Sequence, residues 1–184
     1  MDPVAPALGV VPARPEDRSV RRKGGRLVPL ARGAGLALDH LNLEALNPPT
    51  PSALPDENDR SLVFRTALIG IPLLFSGDLE TPGEEEMLRS GAVRPAFALI
   101  VPHHGSASSS SAAWVEAVSP RLALISVGRN NKFGHPSPQV LGRYRAIGAR
   151  VARTDRDGAL LLRFDARPTL WRMADGDWVE SARR

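Results

Sequence analysis

The feature that most constrains the fold is a regular alternation of short apolar runs and amphipathic segments over residues 61–164. It opens with SLVFRTAL and IPLLFSGD, two apolar runs separated by Ile69-Gly70, which predict a hairpin that enters a buried sheet. Helical and extended patterns then take turns along the chain. We predict helices over 84–90, 112–118 and 138–147, and strands over 97–101, 122–127, 150–154 and 159–164. This order predicts a layered α/β (α+β) architecture in which helices cover a mixed sheet.

The first 57 residues have a different character. Residues 1–60 hold nine of the 17 prolines and show no sustained helical period, which favours loops with short strands over 26–29 and 36–45. The stretch from Asn47 to Asp59 is rich in Pro, Asn and Asp and predicts a loop. We therefore divide the chain into a partly ordered, loosely packed segment 1–57 and an organised domain 58–184.

Composition limits the kinds of site that the chain can form. Its 184 residues, 42% of them hydrophobic and 24% charged, are typical of one globular domain. The absence of cysteine excludes disulfides and thiolate zinc sites and leaves His, Asp and Glu as metal ligands. No apolar run approaches the ~20 residues that span a bilayer, and the N-terminus lacks the basic start and apolar core of a signal peptide. We therefore expect a soluble chain.

The charge of the chain is carried almost entirely by arginine. A net charge of +4 and a pI near 10.5 come from 22 arginines and two lysines. This excess is compatible with a phosphate-bearing partner, but an arginine-rich composition also follows from a GC-rich genome. The basic stretch 18–26 is interpreted as a solvated segment rather than a nucleic-acid clamp.

Polar clusters follow three successive predicted strands: Ser76-Gly-Asp78, His103-His-Gly-Ser106 and Gly128-Arg-Asn-Asn131. Ligand sites of open α/β sheets gather at the carboxyl ends of strands, so we expect these clusters to meet. A carboxylate and a neutral imidazole suit Zn²⁺ or Mn²⁺, which makes Asp78, His103 and His104 candidate metal ligands and catalytic residues. On an extended backbone only one of the two histidines would face the ion. Taken alone, each cluster is also compatible with an ordinary turn or loop.

The remaining candidates come from polar loops. The segment from Gly128 to Pro136 combines glycines with donors suited to an anionic oxygen, so Asn130, Asn131 and His135 are candidate substrate-binding residues, unless this is a plain surface loop. Ser106 is a further candidate substrate-binding residue. It begins a serine-rich run that we interpret as a linker or helix cap rather than the location of a catalytic serine, because the sequence places no general base beside it. Asp155 and Asp157 are interpreted as turn residues.

Taken together, the motifs resemble one family. LLFSGDLETPGEEEMLRSG, FALIVPHHGSASSSS and PRLALISVGRNNKFGHPSPQVLGRYRAIGARVARTDRDGALLLRF are similar, in order and spacing, to the end of the metallo-β-lactamase-fold domain of ComEC-type DNA internalisation competence proteins. The similarity covers about residues 58–165. It implies an αββα sandwich with one or two divalent metals, Zn²⁺ or Mn²⁺, that hydrolyses a phosphodiester of DNA during uptake through a membrane channel.

The resemblance also assigns residues. Asp78 matches the aspartate expected to bridge the metals, and His103-His104 match the later histidine motif. Asn131 and His135 match an Asn-x-x-Gly-His-Pro element near the site. The family's first motif, a His-x-His-x-Asp-His cluster, should precede residue 20, yet the first histidine of this chain is His40, which the local alternation places in a strand rather than at a metal.

This departure leads to an expectation about activity. A chain without the early motif should bind metal weakly or not at all, and we expect it to be inactive alone. Three alternatives remain open: a fragment of a split gene, an enzyme completed in trans by a separate chain, and a non-catalytic module that binds DNA or a partner. Whether the chain is itself an enzyme is therefore undecided. We expect it in the cytoplasm, or at the inner membrane through a partner such as the channel.

Overall fold

The computed structural model describes residues 30–39 and 41–181. Within this range seven strands form one sheet in sequence order, and three more form a second, smaller sheet. The strands of the large sheet are β1 (Gly35–Leu38), β2 (Leu41–Asn47), β3 (Val63–Leu68), β4 (Ile71–Phe75), β5 (Ala98–Ile100), β6 (Leu122–Ile125) and β7 (Arg150–Arg153). Those of the small sheet are β8 (Leu160–Phe164), β9 (Pro168–Ala174) and β10 (Asp177–Glu180). The helices are α1 (Thr81–Arg89), α2 (Ala112–Val118), α3 (Pro138–Ala146) and the short α4 (Thr154–Asp157), with a 3₁₀ turn at Pro102–Gly105.

The large sheet is mixed. Strands β1 to β4 pair antiparallel, and β4 to β7 pair parallel. The predicted hairpin is confirmed: β3 and β4 are joined at Ile69 and Gly70, which both have positive φ, so the tight turn has glycine where it is least strained. The α/β fold class is confirmed as well. Because β4, β5 and β6 run parallel, their carboxyl ends lie at one edge of the sheet.

Helices cover one face of the large sheet. Leu74, Leu99 and Ala123 point from β4, β5 and β6 into a core that also contains Trp114 of α2 and Tyr144 of α3. All five side chains are essentially inaccessible to solvent. Burial of large apolar side chains, at about 1.5–3 kcal/mol each, holds the helices against the sheet. This packing fixes the strand ends from which the polar clusters project.

The small sheet covers the opposite face. Leu73, Ala98 and Leu122 alternate with the helix-facing residues along their strands. They form a second apolar cluster together with Leu162 and Leu170 of the small sheet. The hairpin of β9 and β10 was not predicted from the sequence, although Asp175-Gly176 between alternating residues is a strong hairpin signal. Both turn residues have positive φ, as that turn type requires.

Two expectations about the N-terminal segment are wrong. The region 36–45 is not one strand, because β1 ends at Leu38 and β2 begins at Leu41, and the two pair antiparallel. Nor is all of the segment loosely packed: Ala45, Leu46 and Asn47 are buried because β2 pairs with β3 inside the large sheet. Strands on both sides of the predicted boundary at residue 57 therefore belong to one sheet. The domain division itself stays a prediction. The strand predicted over 26–29, the basic stretch 18–26 and His40 lie outside the described residues.

The helices that the structure describes are short, and none of them combines the length and apolar character needed to cross a bilayer.

Candidate functional site

Asp78 lies on the loop that follows β4. Gly77 before it has φ of 54°, and a Cβ there would lie 3.1 Å from the Cβ of Ser61, so the close approach of these two segments favours glycine. The Ser61 hydroxyl accepts a hydrogen bond from the Asp78 backbone N–H at 3.1 Å. The loop is thereby fixed while the carboxylate of Asp78 stays free, with about half of its side chain exposed.

His103 and His104 follow β5 in a tight turn rather than on the extended backbone that the sequence predicts. Both residues have positive φ, 46° and 54°, inside the 3₁₀ turn. Gly105 ends the turn at φ of 80°, and a Cβ at this position would lie 2.6 Å from the Cβ of Pro136. Close packing on Pro136 therefore requires glycine, and it brings the loop that carries His135 against the histidine pair.

His104 is the histidine that faces Asp78. Its Nε2 lies 3.7 Å from Oδ1 of Asp78, which confirms the predicted proximity of these two side chains. Its Nδ1 lies 2.7 Å from the carbonyl oxygen of Ser126, and a carbonyl only accepts, so Nδ1 carries the proton. In the neutral ring Nε2 is then an unprotonated nitrogen directed toward the carboxylate.

His103 faces a different carboxylate, Glu80, which sequence reasoning missed. Oε1 of Glu80 lies 2.8 Å from Nδ1 of His103, in a close polar contact that lacks the alignment of a hydrogen bond. The Ser108 hydroxyl donates to the same oxygen at 2.9 Å. The signal available in the sequence was a second carboxylate two residues after Asp78.

His135 completes a group of three imidazoles. Its ring centroid lies 5.8 Å from that of His103 and 5.8 Å from that of Phe133, on which it stacks. Burial lowers the pKa of His135, and the neighbouring imidazoles of His103 and His104 lower it further. Both effects favour the neutral form of the ring. The structure brings His135 to the predicted edge of the sheet.

Asn131 holds the loop around His135. Its side-chain amide donates to the carbonyl oxygen of His135 at 2.7 Å and accepts from the backbone N–H of His135 at 3.0 Å. This pairing fixes the loop and leaves the amide little capacity for a ligand. Asn130, in contrast, is exposed, with φ of 53°. A substrate-binding role for either asparagine stays a prediction.

The serine-rich run forms a buried support for the site. Ser111 is the N-cap of α2, as expected, and accepts from the backbone N–H of Trp114. Ser106 is nearly buried, with its hydroxyl 2.9 Å from that of Ser108. The carboxylate of Glu84 accepts from the backbone N–H groups of Ser110 and Ser111. Burial is the main cause that raises the pKa of Glu84.

A cavity of about 420 Å³ opens beside His104. The predicted residues His104, Asn131 and His135 line it, whereas Asp78, His103, Ser106 and Asn130 do not. Its other walls are Ser126, Val127, Gly128, Phe133 and Thr154.

The chemistry of the donors fits a divalent ion only in part. Asp78 and His104 offer a carboxylate oxygen and an imidazole nitrogen at a separation that one ion can bridge. Over residues 30–39 and 41–181, however, no three His, Asp or Glu side chains are grouped so as to hold one ion. A catalytic zinc has at least three protein ligands, so this part of the chain does not complete such a centre by itself.

The chain is similar to known competence proteins. It is 32% identical over 159 residues to ComE operon protein 3 of Bacillus subtilis (strain 168), covering 84% of this chain and 20% of that protein. Competence protein ComA of Neisseria gonorrhoeae is 40% identical over 123 residues, 66% of this chain and 18% of that protein. The uncharacterised protein YcaI of Escherichia coli (strain K12) is 37% identical over 103 residues, 55% of this chain and 13% of that protein. No family model matches. The chain thus spans a fifth or less of the length of these relatives.

Proposed function

The chain is related to the ComEC-type competence proteins over most of its own length, and on this basis we propose that it serves DNA uptake by contributing to metal-dependent phosphodiester hydrolysis. The competence role is supported by the names of the relatives. The hydrolytic chemistry is supported by the resemblance of the three motifs and by the position of their side chains at one sheet edge. In this proposal Asp78 and His104 are two ligands of the ion, and the others come from outside the described residues.

The single observation that carries the proposal is the arrangement of His104. Its Nδ1–H is held by the carbonyl oxygen of Ser126 at 2.7 Å, while its Nε2 lies 3.7 Å from the Asp78 carboxylate. Ligating histidines typically donate their other N–H to a carbonyl or carboxylate, which fixes both tautomer and ring orientation. An ion at ~2 Å from each donor fits between two atoms at this separation.

A bound divalent ion would lower the pKa of a coordinated water and stabilise charge on phosphate oxygens. The residues of this chain have other tasks in the proposal. Ser61 and Gly77 fix the loop of Asp78, and Ser126 orients His104. Glu80 holds His103 beside the site and away from Asp78.

A second candidate function is completion in trans, where a separate chain supplies the missing ligands. The observation that favours it is the count of two suitably placed donors in the described residues, against the three or more that catalysis requires. A chain that carries the His-x-His-x-Asp-His segment would then restore DNA cleavage when mixed with this one.

Isothermal titration with Mn²⁺ and Zn²⁺ tests the proposed ligands. We expect binding by the wild-type chain in the micromolar range or weaker, and a loss of at least about tenfold in Asp78→Ala and in His104→Ala. Asp165→Ala is the matched control, because this exposed carboxylate pairs with Arg163 in the turn after β8. Equal affinity in all four proteins would reject Asp78 and His104 as ligands.

A cleavage assay tests the chemistry. Purified chain with Mn²⁺ and single- or double-stranded DNA should cleave no faster than Asp78→Ala, since the two ligands found among the described residues hold an ion too weakly for catalysis. Cleavage by the wild type that Asp78→Ala abolishes would show that the ligand set is complete within this chain. Cleavage that appears only on addition of the second chain would support completion in trans.

A further inference from the structure

A groove of about 610 Å³ lies along β7 and is separate from the cavity beside His104. Within the described residues β7 is the last strand of the large sheet, so one of its edges has no neighbouring strand. Five arginines line the groove: Arg145, Arg150, Arg153, Arg156 and Arg172. Two acidic residues, Asp157 and Glu180, line it with them, and Asp155 pairs with Arg153, which leaves a surplus of two positive charges.

Most of these guanidinium groups are not neutralised. Arg153 is held by the carboxylate of Asp155, with Nε 2.9 Å from Oδ1. Arg150 donates to the hydroxyl and the carbonyl oxygen of Ser181, at 2.6 Å and 3.1 Å, and meets no carboxylate. The other three form no ion pair in the part of the chain that the structure describes, and they come from α3, α4 and β9: Arg145, Arg156 and Arg172.

The groove and the cavity are lined by consecutive residues at the end of β7. Arg153 lines the groove, and Thr154, the next residue, lines the cavity beside His104. The Thr154 hydroxyl accepts from the backbone N–H of Val127 at 2.7 Å, which fixes this wall between the two. An extended ligand held in the groove would therefore reach the edge of the sheet where Asp78 and His104 lie.

We propose that the arginine groove binds the phosphate backbone of a nucleic-acid strand and directs it toward the cavity beside His104. Guanidinium groups bind phosphate oxygens with paired hydrogen bonds and stay charged at any physiological pH. The four residues of β7 extend over about 10 Å, a length over which one strand of a duplex carries about three phosphates. Four guanidinium groups of the groove have no carboxylate partner among the described residues, enough to contact that number of phosphates: those of Arg145, Arg150, Arg156 and Arg172. The proposal rests on the proposed function in one respect, namely that the bound nucleic acid is DNA.

Fluorescence anisotropy with labelled single-stranded and double-stranded DNA tests the groove. The full chain is used in buffer with EDTA, so that metal binding by Asp78 and His104 has no part in the result. The test variant is Arg145→Ala with Arg156→Ala, because both side chains are exposed and their removal should not disturb folding. Arg89→Ala with Arg94→Ala has the same net charge and changes two exposed arginines that do not line the groove.

We expect the groove variant to bind DNA about tenfold more weakly than the wild type at low salt. We also expect its slope of log affinity against log salt to fall by about two, because each of the two substitutions removes one arginine from a phosphate. The control variant should keep the wild-type slope. The proposal is overturned if both variants weaken binding equally, if the groove variant binds as the wild type does, or if polyglutamate of equal charge competes as well as DNA.

Discussion

Two carboxylates that follow β4, Asp78 and Glu84, have opposite surroundings although they lie only six positions apart in the sequence. Glu84 is fully buried, and its two oxygens accept from the backbone N–H groups of Ser110 and Ser111. Asp78 is about half exposed, and within the described residues its side chain accepts no hydrogen bond and faces only the imidazole of His104. The satisfied carboxylate stabilises the fold, whereas the unsatisfied one is available to a ligand.

The largest effect that this comparison predicts is on stability. Glu84→Ala leaves the buried backbone N–H of Ser110 and the partly buried N–H of Ser111 without an acceptor. The free energy of unfolding should therefore fall by about 3 kcal/mol, with a lower midpoint in urea. Its matched control is the exposed neighbour, Glu85→Ala, which should stay within about 0.5 kcal/mol of the wild type. A loss equal to that of the control would show that the buried carboxylate is not structural.

A smaller predicted effect is that two glutamates of α1, Glu84 and Glu86, contribute to stability with opposite dependence on pH. Burial raises the pKa of Glu84, whereas the Arg32 guanidinium that pairs with Glu86 lowers the pKa of that carboxyl. The stability that wild type has over Glu84→Gln should therefore decrease as pH rises above 4.5, through the raised pKa. Its stability over Glu86→Gln should be present above pH 4.5 and decrease, by about 1 kcal/mol or less, as pH falls through the lowered pKa.

Urea unfolding of the three proteins over a range of pH measures both trends. A raised and a lowered pKa act on stability in opposite directions. If the stability of wild type relative to Glu84→Gln and relative to Glu86→Gln changed in the same direction with pH, the assigned causes would be contradicted.

How much the sequence could predict differs between the sheet and the site. Apolar runs predicted the hairpin of β3 and β4 and the order along the chain of the strands that follow it, because buried apolar runs are a strong strand signal. The meeting of Asp78 with a histidine followed from that order. The left-handed backbone at His103 and His104 could not be predicted, since it depends on packing of Gly105 against Pro136, more than 30 residues later.

Contacts between distant segments explain the other misses. Glu80 has a role only because the turn after β5 places His103 beside it. The hydrogen bonds by which Asn131 fixes the loop of His135 are local, but they depend on a loop geometry that the sequence does not specify. A substrate-binding role for Asn131 stays a prediction.

The central claim is that His104 and not His103 shares an ion with Asp78, and NMR of the imidazole nitrogens tests it most directly. Long-range ¹H–¹⁵N spectra of the full chain are recorded during a Zn²⁺ titration and assigned with single His→Gln variants. We predict that His104 has its proton on Nδ1 before and after the titration, and that its Nε2 signal shifts first, by an amount that Asp78→Ala abolishes. A first shift at His103, or a shift at His104 that Asp78→Ala leaves unchanged, would contradict the claim.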